Sequence, residues 1–136
     1  METCIFCKIV KGEIPSSKVY EDNEFLAFLD IGPIHKGHTL LIPKEHHEDL
    51  FTMPDNLLEL MSGILKKVGA AVMKGTKADG INVGMNNKPA AGQIVFHAHY
   101  HIIPRFKGDG LRHWPQGKYE NPEEMQKYSD IIKQNL

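Results

Sequence analysis

Three histidines alternate with apolar residues in the segment 96–103, and this pattern constrains the fold more than any other in the chain. In a β-strand the side chains of every second residue share one face. His97, His99 and His101 are therefore expected in a row on one face of a strand over residues 95–103. Imidazole can act as a nucleophile, a proton carrier or a metal ligand near neutral pH. The segment thus predicts a strand that carries a chemical site.

The length and charge of the chain limit the classes of protein to which it can belong. The chain has 136 residues and is 41% hydrophobic, enough for a single domain over residues 1–136 with its own core. Lys and Arg number 16 and Asp and Glu 17, so the net charge of −1 favours neither a long nucleic acid nor an acidic membrane as partner. The N-terminus lacks signal-peptide features and no long apolar run occurs, so we expect a cytoplasmic protein with no membrane partner.

Local patterns predict an α+β fold with an antiparallel sheet. Apolar residues at helical spacing predict one long helix over 54–74, with Thr52 as its N-cap and Gly75 as its end. Asn121, followed by a proline and two acids, predicts the start of a short C-terminal helix. A short helical turn is expected at 4–12. The predicted strands are residues 18–21, 24–30, 38–43, 81–85 and 95–103.

Both cysteines of the chain, Cys4 and Cys7, lie in one Cys-x-x-Cys segment. In a reducing compartment this spacing indicates metal binding or redox chemistry more than a structural disulfide. A thioredoxin-type redox centre follows a strand, whereas this pair precedes every predicted strand. The spacing therefore favours two thiolate ligands of a metal, with two buried free thiols as the alternative.

Several segments in a fixed order extend the histidine pattern. Gly92 and Gln93 stand a few residues before the first histidine, and Asp30, Ile31 and the strand at 38–43 lie upstream. In this order they resemble the histidine triad (HIT) family, whose signature is His-φ-His-φ-His-φ-φ, with φ apolar, preceded by Gly-Gln.

The resemblance covers roughly residues 4–105. With its cysteine pair the chain is similar to the zinc-carrying, histidine triad nucleotide-binding (Hint-like) branch. This implies a HIT-like fold, in which a five-stranded antiparallel sheet is accompanied by one long helix and a short C-terminal helix. Residues 1–12 would form a zinc-binding N-terminal segment, and residues 106–136 a C-terminal extension.

The resemblance also implies roles for single residues. His99 matches the nucleophile, and His101 and His38 match residues that contact phosphate and handle the leaving group's proton. Gln93 matches the family's positioning glutamine. Asp30 matches the carboxylate that binds both ribose hydroxyls. The nucleotide-binding residues implied in this way are Asp30, Ile31, Asn86, Gly92, Gln93, His99 and His101.

One position departs from the family pattern. Many members carry Ser or Thr directly after Gly-Gln, where the hydroxyl bonds a phosphate oxygen, but this chain has Ile94. We therefore expect the phosphate contact at this position to be lost or left to the backbone.

The resemblance also implies a zinc site. His46 and His97 match the family's ligands and would join Cys4 and Cys7, with His47 as the alternative to its neighbour His46. Four protein ligands leave no open position on a tetrahedral Zn²⁺, so the zinc would be structural.

These residues together predict a nucleotide hydrolase. It would cleave the bond between the α-phosphorus of a purine nucleotide and an amine or phosphate leaving group, through a nucleotidyl-histidine intermediate on His99. Nucleoside phosphoramidates are the first expected substrates and dinucleoside polyphosphates the second. The alternatives are a nucleotidyl transferase, a hydrolase with His97 and His99 as catalytic zinc ligands, and a nucleotide-binding interaction protein with weak catalysis.

A homodimer is expected as well. A five-stranded sheet covered by little more than one long helix leaves edges and apolar surface exposed in a chain of this size. The resemblance implies that two protomers join through the helix and an edge strand. It also places the C-terminal segment with Trp114 near the partner's site, where Trp114 would help to select the leaving group.

Overall fold

The computed structural model describes residues 3–136 as an α+β fold built on one antiparallel sheet. The five strands have the spatial order β1-β2-β3-β5-β4, so β1 and β4 are the edges. The strands are β1 Lys18–Glu21, β2 Phe25–Leu29, β3 Thr39–Pro43, β4 Gly80–Gly84 and β5 Tyr100–Arg105. The helices are α1 Ile5–Val10, α2 Asp55–Thr76 and α3 Pro122–Lys133, with single 3-10 turns at Leu50–Thr52 and Pro89–Ala91.

Both faces of the central strands are buried. Phe25 and Ala27 of β2 pack with Leu41 of β3 against the apolar side of α2. The alternate residues Leu26 and Phe28 pack on the opposite face against α1. This alternation follows from the two-residue period of a strand and explains why every residue of β3 is buried. The fold class predicted from the sequence is therefore confirmed.

The strand of the histidines is shorter than predicted. β5 begins at Tyr100 and not at residue 95, so His97 and His99 lie in irregular backbone before it. The backbone N–H of Ala98 donates to the carbonyl of His47 at 2.7 Å, outside the sheet ladder. The predicted start of the strand was therefore wrong. The alternation itself is kept, since Ala98 and Ile102 pack in the cluster against α2, whereas His97 and His99 contact Phe6 of α1 on the opposite side.

The ends of α2 also differ from the prediction. Pro54 is the N-cap residue, and Thr52 closes a capping box with Asp49 around the preceding 3-10 turn. Gly75 lies inside the helix, which ends at Thr76 because Lys77 adopts the left-handed conformation, with φ 57°. The predicted cap of α3 is confirmed, since the Asn121 side chain accepts from the backbone N–H of Glu124. No helix within residues 3–136 combines the length and apolar character that crossing a bilayer requires.

Candidate active site

His99 is oriented by a neighbour two residues away. Its Nδ1 lies 2.7 Å from the carbonyl oxygen of His97. A carbonyl only accepts, so we assign the proton to Nδ1, which leaves the lone pair on Nε2. Burial lowers the pKa of His99, and the ring of Phe6 packs against it edge to face at 5.1 Å. The neutral ring therefore has one fixed nitrogen and one nitrogen available for nucleophilic attack.

His38 and His101 are joined by a hydrogen bond whose direction can be assigned. The backbone N–H of Ile34 donates to Nδ1 of His38, so the His38 proton belongs on Nε2. That Nε2 lies 2.9 Å from Nδ1 of His101 and donates to it. The remaining proton of His101 is then on Nε2. Burial, followed by the neighbouring His99 and His38 rings, lowers the pKa of His101 to about 4. His101 is thus a neutral ring that presents an N–H.

Asp30 lies beside this pair, just after β2. Its Oδ2 is 3.7 Å from Nε2 of His38, and its Oδ1 accepts from the backbone N–H of Gly32 at 2.9 Å. The carboxylate charge raises the pKa values of His38 and His101, but burial outweighs it and both remain lowered. Asp30 therefore keeps a partly exposed carboxylate at the edge of the histidine cluster.

These residues surround a cavity of about 550 Å³, which we call the histidine cavity. One side is apolar and the other carries the polar groups. The apolar side includes Ile9, Ile14, Phe28 and Leu40. The residues of the predicted nucleotide site that line it are Asp30, Ile31, Asn86, Gly92, His99 and His101. The cavity thus brings together, from four separate segments, all but one of the predicted nucleotide contacts.

Gln93 is the exception, since its side chain faces away from the cavity lining. Its Nε2 donates to the carbonyls of Glu48 and Val95, and its Oε1 accepts from the backbone N–H of Lys88. Both amide protons are therefore used within the protein. The expectation that this amide holds phosphate oxygens does not fit these contacts, and Gln93 instead fixes the loop that carries Asn86 and Gly92. His38 does not line this cavity either, but it lies beside His101 in the lining of a second cavity.

A second cavity of about 550 Å³ adjoins the first, because Asn86 and His101 line both. Residues 111–115 form its outer wall, in which Trp114 is 88% exposed. The C-terminal extension thus reaches the histidine cluster of its own chain.

A metal-ligand cluster lies directly behind His99. The ligand atoms of Cys4, Cys7, His46 and His97 all lie within 4.8 Å of one another. Three sulfur–nitrogen distances are 3.3 Å for Cys7–His46, 3.4 Å for Cys4–His97 and 3.6 Å for Cys7–His97. Sulfur and nitrogen ligands of one tetrahedral zinc are about 3.5 Å apart, so the four side chains fit this ion.

The contacts around the cluster support the same assignment. Nε2 of His97 lies 2.8 Å from the carbonyl of Pro43, which fixes the ring with Nδ1 toward the thiols. His47 does not join the cluster, and its Nε2 lies 3.8 Å from Glu45. Burial raises the pKa of the Cys7 thiol, an effect that a bound cation would reverse. Because His97 faces the thiols and Nδ1 of His99 is bonded to a carbonyl, the two do not form a joint metal site as the alternative hydrolase requires.

The loop of residues 86–93, which carries Asn86 and Gly92, is supported by three residues that the sequence did not single out, namely Asp49, Asn87 and Lys88. Asn87 accepts from the backbone N–H of Leu50, and Lys88 pairs with the buried Asp49. The Asn-Asn-Lys-Pro run indicates a turn, but nothing in it reveals a partner some forty residues away.

The chain is similar to known proteins in both sequence and structure. A HIT domain family model matches residues 11–108. A HIT-like protein of Methanocaldococcus jannaschii is 54% identical over 108 residues, which are 79% of this chain and 82% of that protein. Protein hit of Bacillus subtilis is 46% identical over 99% of this chain and 95% of its own. Adenylylsulfatase HINT3 of Arabidopsis thaliana is 44% identical over 79% of this chain, but over only 55% of its own length.

Solved structures extend the likeness to the whole chain. A Streptococcus mutans structure superposes with a TM-score of 0.90 and 46% identity, covering 100% of this chain and 87% of that one. A zinc-bound histidine triad family protein of Mycobacterium smegmatis has a TM-score of 0.78 and 38% identity, covering 98% of this chain and 95% of that one. The matched residues contain the histidine cavity and the strands around it, and the chain belongs to the HIT domain family.

Proposed function

We propose that this protein hydrolyses nucleotide conjugates, cleaving the bond between the α-phosphorus of a purine nucleotide and an amine or phosphate leaving group. The observation that carries the proposal is the orientation of His99. Its Nδ1 is bonded to a backbone carbonyl, so the Nε2 lone pair faces the histidine cavity beside His101. A fixed neutral imidazole with one free nitrogen is a good nucleophile toward phosphorus.

The chemistry takes two steps, which balance in atoms and protons. In the first, Nε2 of His99 forms a bond to the α-phosphorus and the bond to the leaving group breaks, with the leaving atom accepting a proton that comes from solvent through His101, which stays neutral. In the second, water attacks the phosphorus and the bond to His99 breaks, while the proton of the water leaves to solvent through His101. The products are a nucleoside monophosphate and the protonated leaving group. Both histidines return to their starting states.

Other residues of the cavity would hold the nucleotide. The Asp30 carboxylate is exposed enough to accept from ribose hydroxyls, and the apolar side of the cavity with Ile31 suits a purine base. Asn86 and the backbone at Gly92 would face phosphate oxygens, where negative charge increases in the transition state. Ile94 stands at the cavity without a hydroxyl, so no side-chain hydrogen bond to phosphate comes from that position.

The proposal includes a structural zinc on Cys4, Cys7, His46 and His97. Bound there, the ion would neutralise the thiolates and fix the His97 ring. The His97 carbonyl accepts from His99, so the metal cluster and the nucleophile share one segment of backbone. We also propose that the protein acts as a homodimer.

Hydrolysis is preferred over transfer because of His101. By the resemblance, transferase relatives carry Gln at the third histidine, which cannot exchange a proton with a leaving group and water. A relative named adenylylsulfatase, 44% identical, further supports a hydrolase that acts on an adenylyl conjugate. The competing idea of an interaction protein with weak catalysis depends on Ile94 alone.

The direct test is hydrolysis of an adenosine phosphoramidate by wild type and His99→Ala. We expect at least about a thousand-fold loss of kcat, because the nucleophile is removed, while binding of AMP is retained. His35→Ala is the matched control, since His35 pairs with Asp109 outside the histidine cavity. Near-normal turnover by His99→Ala would exclude the mechanism.

A further inference from the structure

Lys88 has an unusual backbone conformation. Among the described residues, Lys77 and Lys88 are the non-glycine residues with positive φ. Lys77 is in the left-handed helical region, which is common at the end of a helix. Lys88 has φ 75° and ψ 155°, a combination that is almost confined to glycine. A lysine in this conformation is strained and must be held by its surroundings.

An ion pair with Asp49 holds Lys88 in this conformation. Nζ of Lys88 lies 2.6 Å from Oδ2 of Asp49, whose side chain is completely buried. The other oxygen of Asp49 accepts from the backbone N–H groups of Phe51 and Thr52 at 3.0 and 3.1 Å. A buried carboxylate is costly unless it is paired, so Asp49 depends on the ammonium of Lys88, although the lysine side chain itself is 58% exposed. Lys88 is also the main cause of the lowered pKa of Asp49.

Neighbouring side chains strengthen the same connection. Asn87 accepts from the backbone N–H of Leu50 at 2.8 Å, and Gln93 donates to the carbonyl of Glu48 at 2.7 Å. Gln93 also accepts from the backbone N–H of Lys88 at 2.9 Å. Together with the ion pair, the first two contacts link residues 48–52 and 87–93 at three separate points.

The linked loop carries two residues of the histidine cavity at its ends. Asn86 precedes Lys88, and Gly92 follows the turn Pro89–Ala91. The Asn86 side chain donates a hydrogen bond of 3.5 Å to the Gly92 carbonyl. A rotation of the backbone at Lys88 would move one end of the loop relative to the other. The direction of Asn86 therefore depends on the conformation of Lys88.

We infer that the Lys88–Asp49 ion pair is a positioning device, which holds the strained loop 86–93 so that Asn86 and the Gly92 backbone face the α-phosphate of the substrate. This inference rests on the proposed function. Lys88 touches no reacting atom in it and acts only through the loop. The ion pair lies outside the lining of the histidine cavity.

The principal variant is the double substitution Lys88→Met/Asp49→Asn. It removes both charges together, so no unpaired charge stays buried, and the introduced amide can still accept from the N–H groups that Asp49 caps. The single substitution Lys88→Arg is the conservative variant, because it keeps the positive charge beside Asp49. Lys77→Met is the matched control, because it removes a lysine from the other non-glycine position with positive φ, at the far end of α2.

The first measurement is hydrogen exchange of the nucleotide-free proteins. The double variant should exchange faster in peptides covering 86–93, with β3 and β5 unchanged, whereas Lys88→Arg and Lys77→Met should match wild type. The second measurement is phosphoramidate turnover at a temperature where circular dichroism shows every variant folded. We expect kcat of the double variant to fall between about 10- and 100-fold, the range that a small displacement of a positioning group causes, and kcat of Lys88→Arg to stay near wild type.

Unchanged exchange in 86–93 would overturn the inference, as would a loss of kcat in Lys88→Arg as large as in the double variant. If the double variant fails to fold, Asp49→Asn alone replaces it, because the amide oxygen can still accept from the N–H groups of Phe51 and Thr52, the strained Lys88 backbone is unchanged, and the ammonium that loses its partner is 58% exposed. Asp49→Asn is expected to show the same faster loop exchange, and exchange at the wild-type rate would reject the positioning role of the ion pair. Wild-type protein without phosphoramidate turnover would instead reject the proposed function, while the exchange result would still decide whether the ion pair holds the loop.

Discussion

At the scale of single residues, hydrogen bonds fix which ring nitrogen carries the proton, which is Nδ1 in His99 and Nε2 in His38 and His101. The alternation of histidines and the Gly-Gln pair were enough to select His99 and His101, which do face one cavity. The burial of Gln93 in three hydrogen bonds was not predictable, because each partner is a backbone group brought near only by the fold. The strained φ of Lys88 could not be foreseen either, since the sequence there indicates only a turn.

The neutral state of His101 predicts how stability depends on pH. Its pKa is about 4 in the folded protein, against an ordinary value near 6.5 in the unfolded chain. Between pH 6.5 and 4 the unfolded state therefore binds more protons, so the free energy of unfolding decreases as the pH falls through this window. A single histidine contributes at most about 1.4 kcal/mol per pH unit.

His101→Gln isolates this contribution, because glutamine can still accept from His38 but does not titrate. Urea unfolding at several pH values should give a shallower decrease below pH 6.5 for His101→Gln than for wild type. His113→Gln, at an exposed histidine, is the control and should keep the wild-type slope. Equal slopes for all three proteins would show that His101 does not remain neutral in the folded state.

At the scale of elements, helix and strand types were predictable and their ends were not. The apolar stripe of α2 was found from its spacing, but its end depends on the backbone of Lys77 and not on Gly75. β5 begins late because Ala98 donates to the loop carbonyl of His47, a long-range contact that periodicity does not encode. Periodicity reports which residues can share a face, whereas element ends are set by individual hydrogen bonds.

The N-terminal element gives a prediction about the metal. α1 has only six residues and its N-cap is Cys4, so its position depends on the cluster that Cys4 and Cys7 form with His46 and His97. Cys4→Ser should contain less than the one zinc per chain expected for wild type. It should also unfold at a lower temperature, because structural zinc binding is coupled to folding.

Elemental analysis and thermal unfolding check both effects, and a chelator added to wild type should reproduce the lower unfolding temperature. Lys8→Ala, on the same helix but outside the cluster, is the control and should keep its zinc. If metal-free wild type unfolds at the same temperature as the zinc-loaded protein, the site is not structural.

At the scale of the whole molecule, the sheet is unevenly covered. β1 and β4 are both edges, and β4 has three exposed residues out of five. The amphipathic α3 has no buried residue, and α2 exposes 53% of Leu60. Exposed strand edges and apolar surface of this kind are usually covered by a partner or protected against unwanted association. A second copy of the chain is the partner that the predicted homodimer supplies.

Light scattering at micromolar concentration should therefore give a mass near twice 15.4 kDa. Leu60→Glu, which places a charge on the exposed side of α2, should shift the mass toward one chain. Val19→Glu, on the opposite edge strand β1, should leave it unchanged. Residues 111–115 line the second cavity beside His101 of their own chain, whereas the resemblance implies a place near the partner's site. The preference of a monomer between amine and phosphate leaving groups therefore decides between the two placements. A Leu60→Glu monomer that retains the wild-type preference would assign residues 111–115 to the site of their own chain, and a changed preference would assign them to the partner's site. A monomeric wild type would refute the dimer itself.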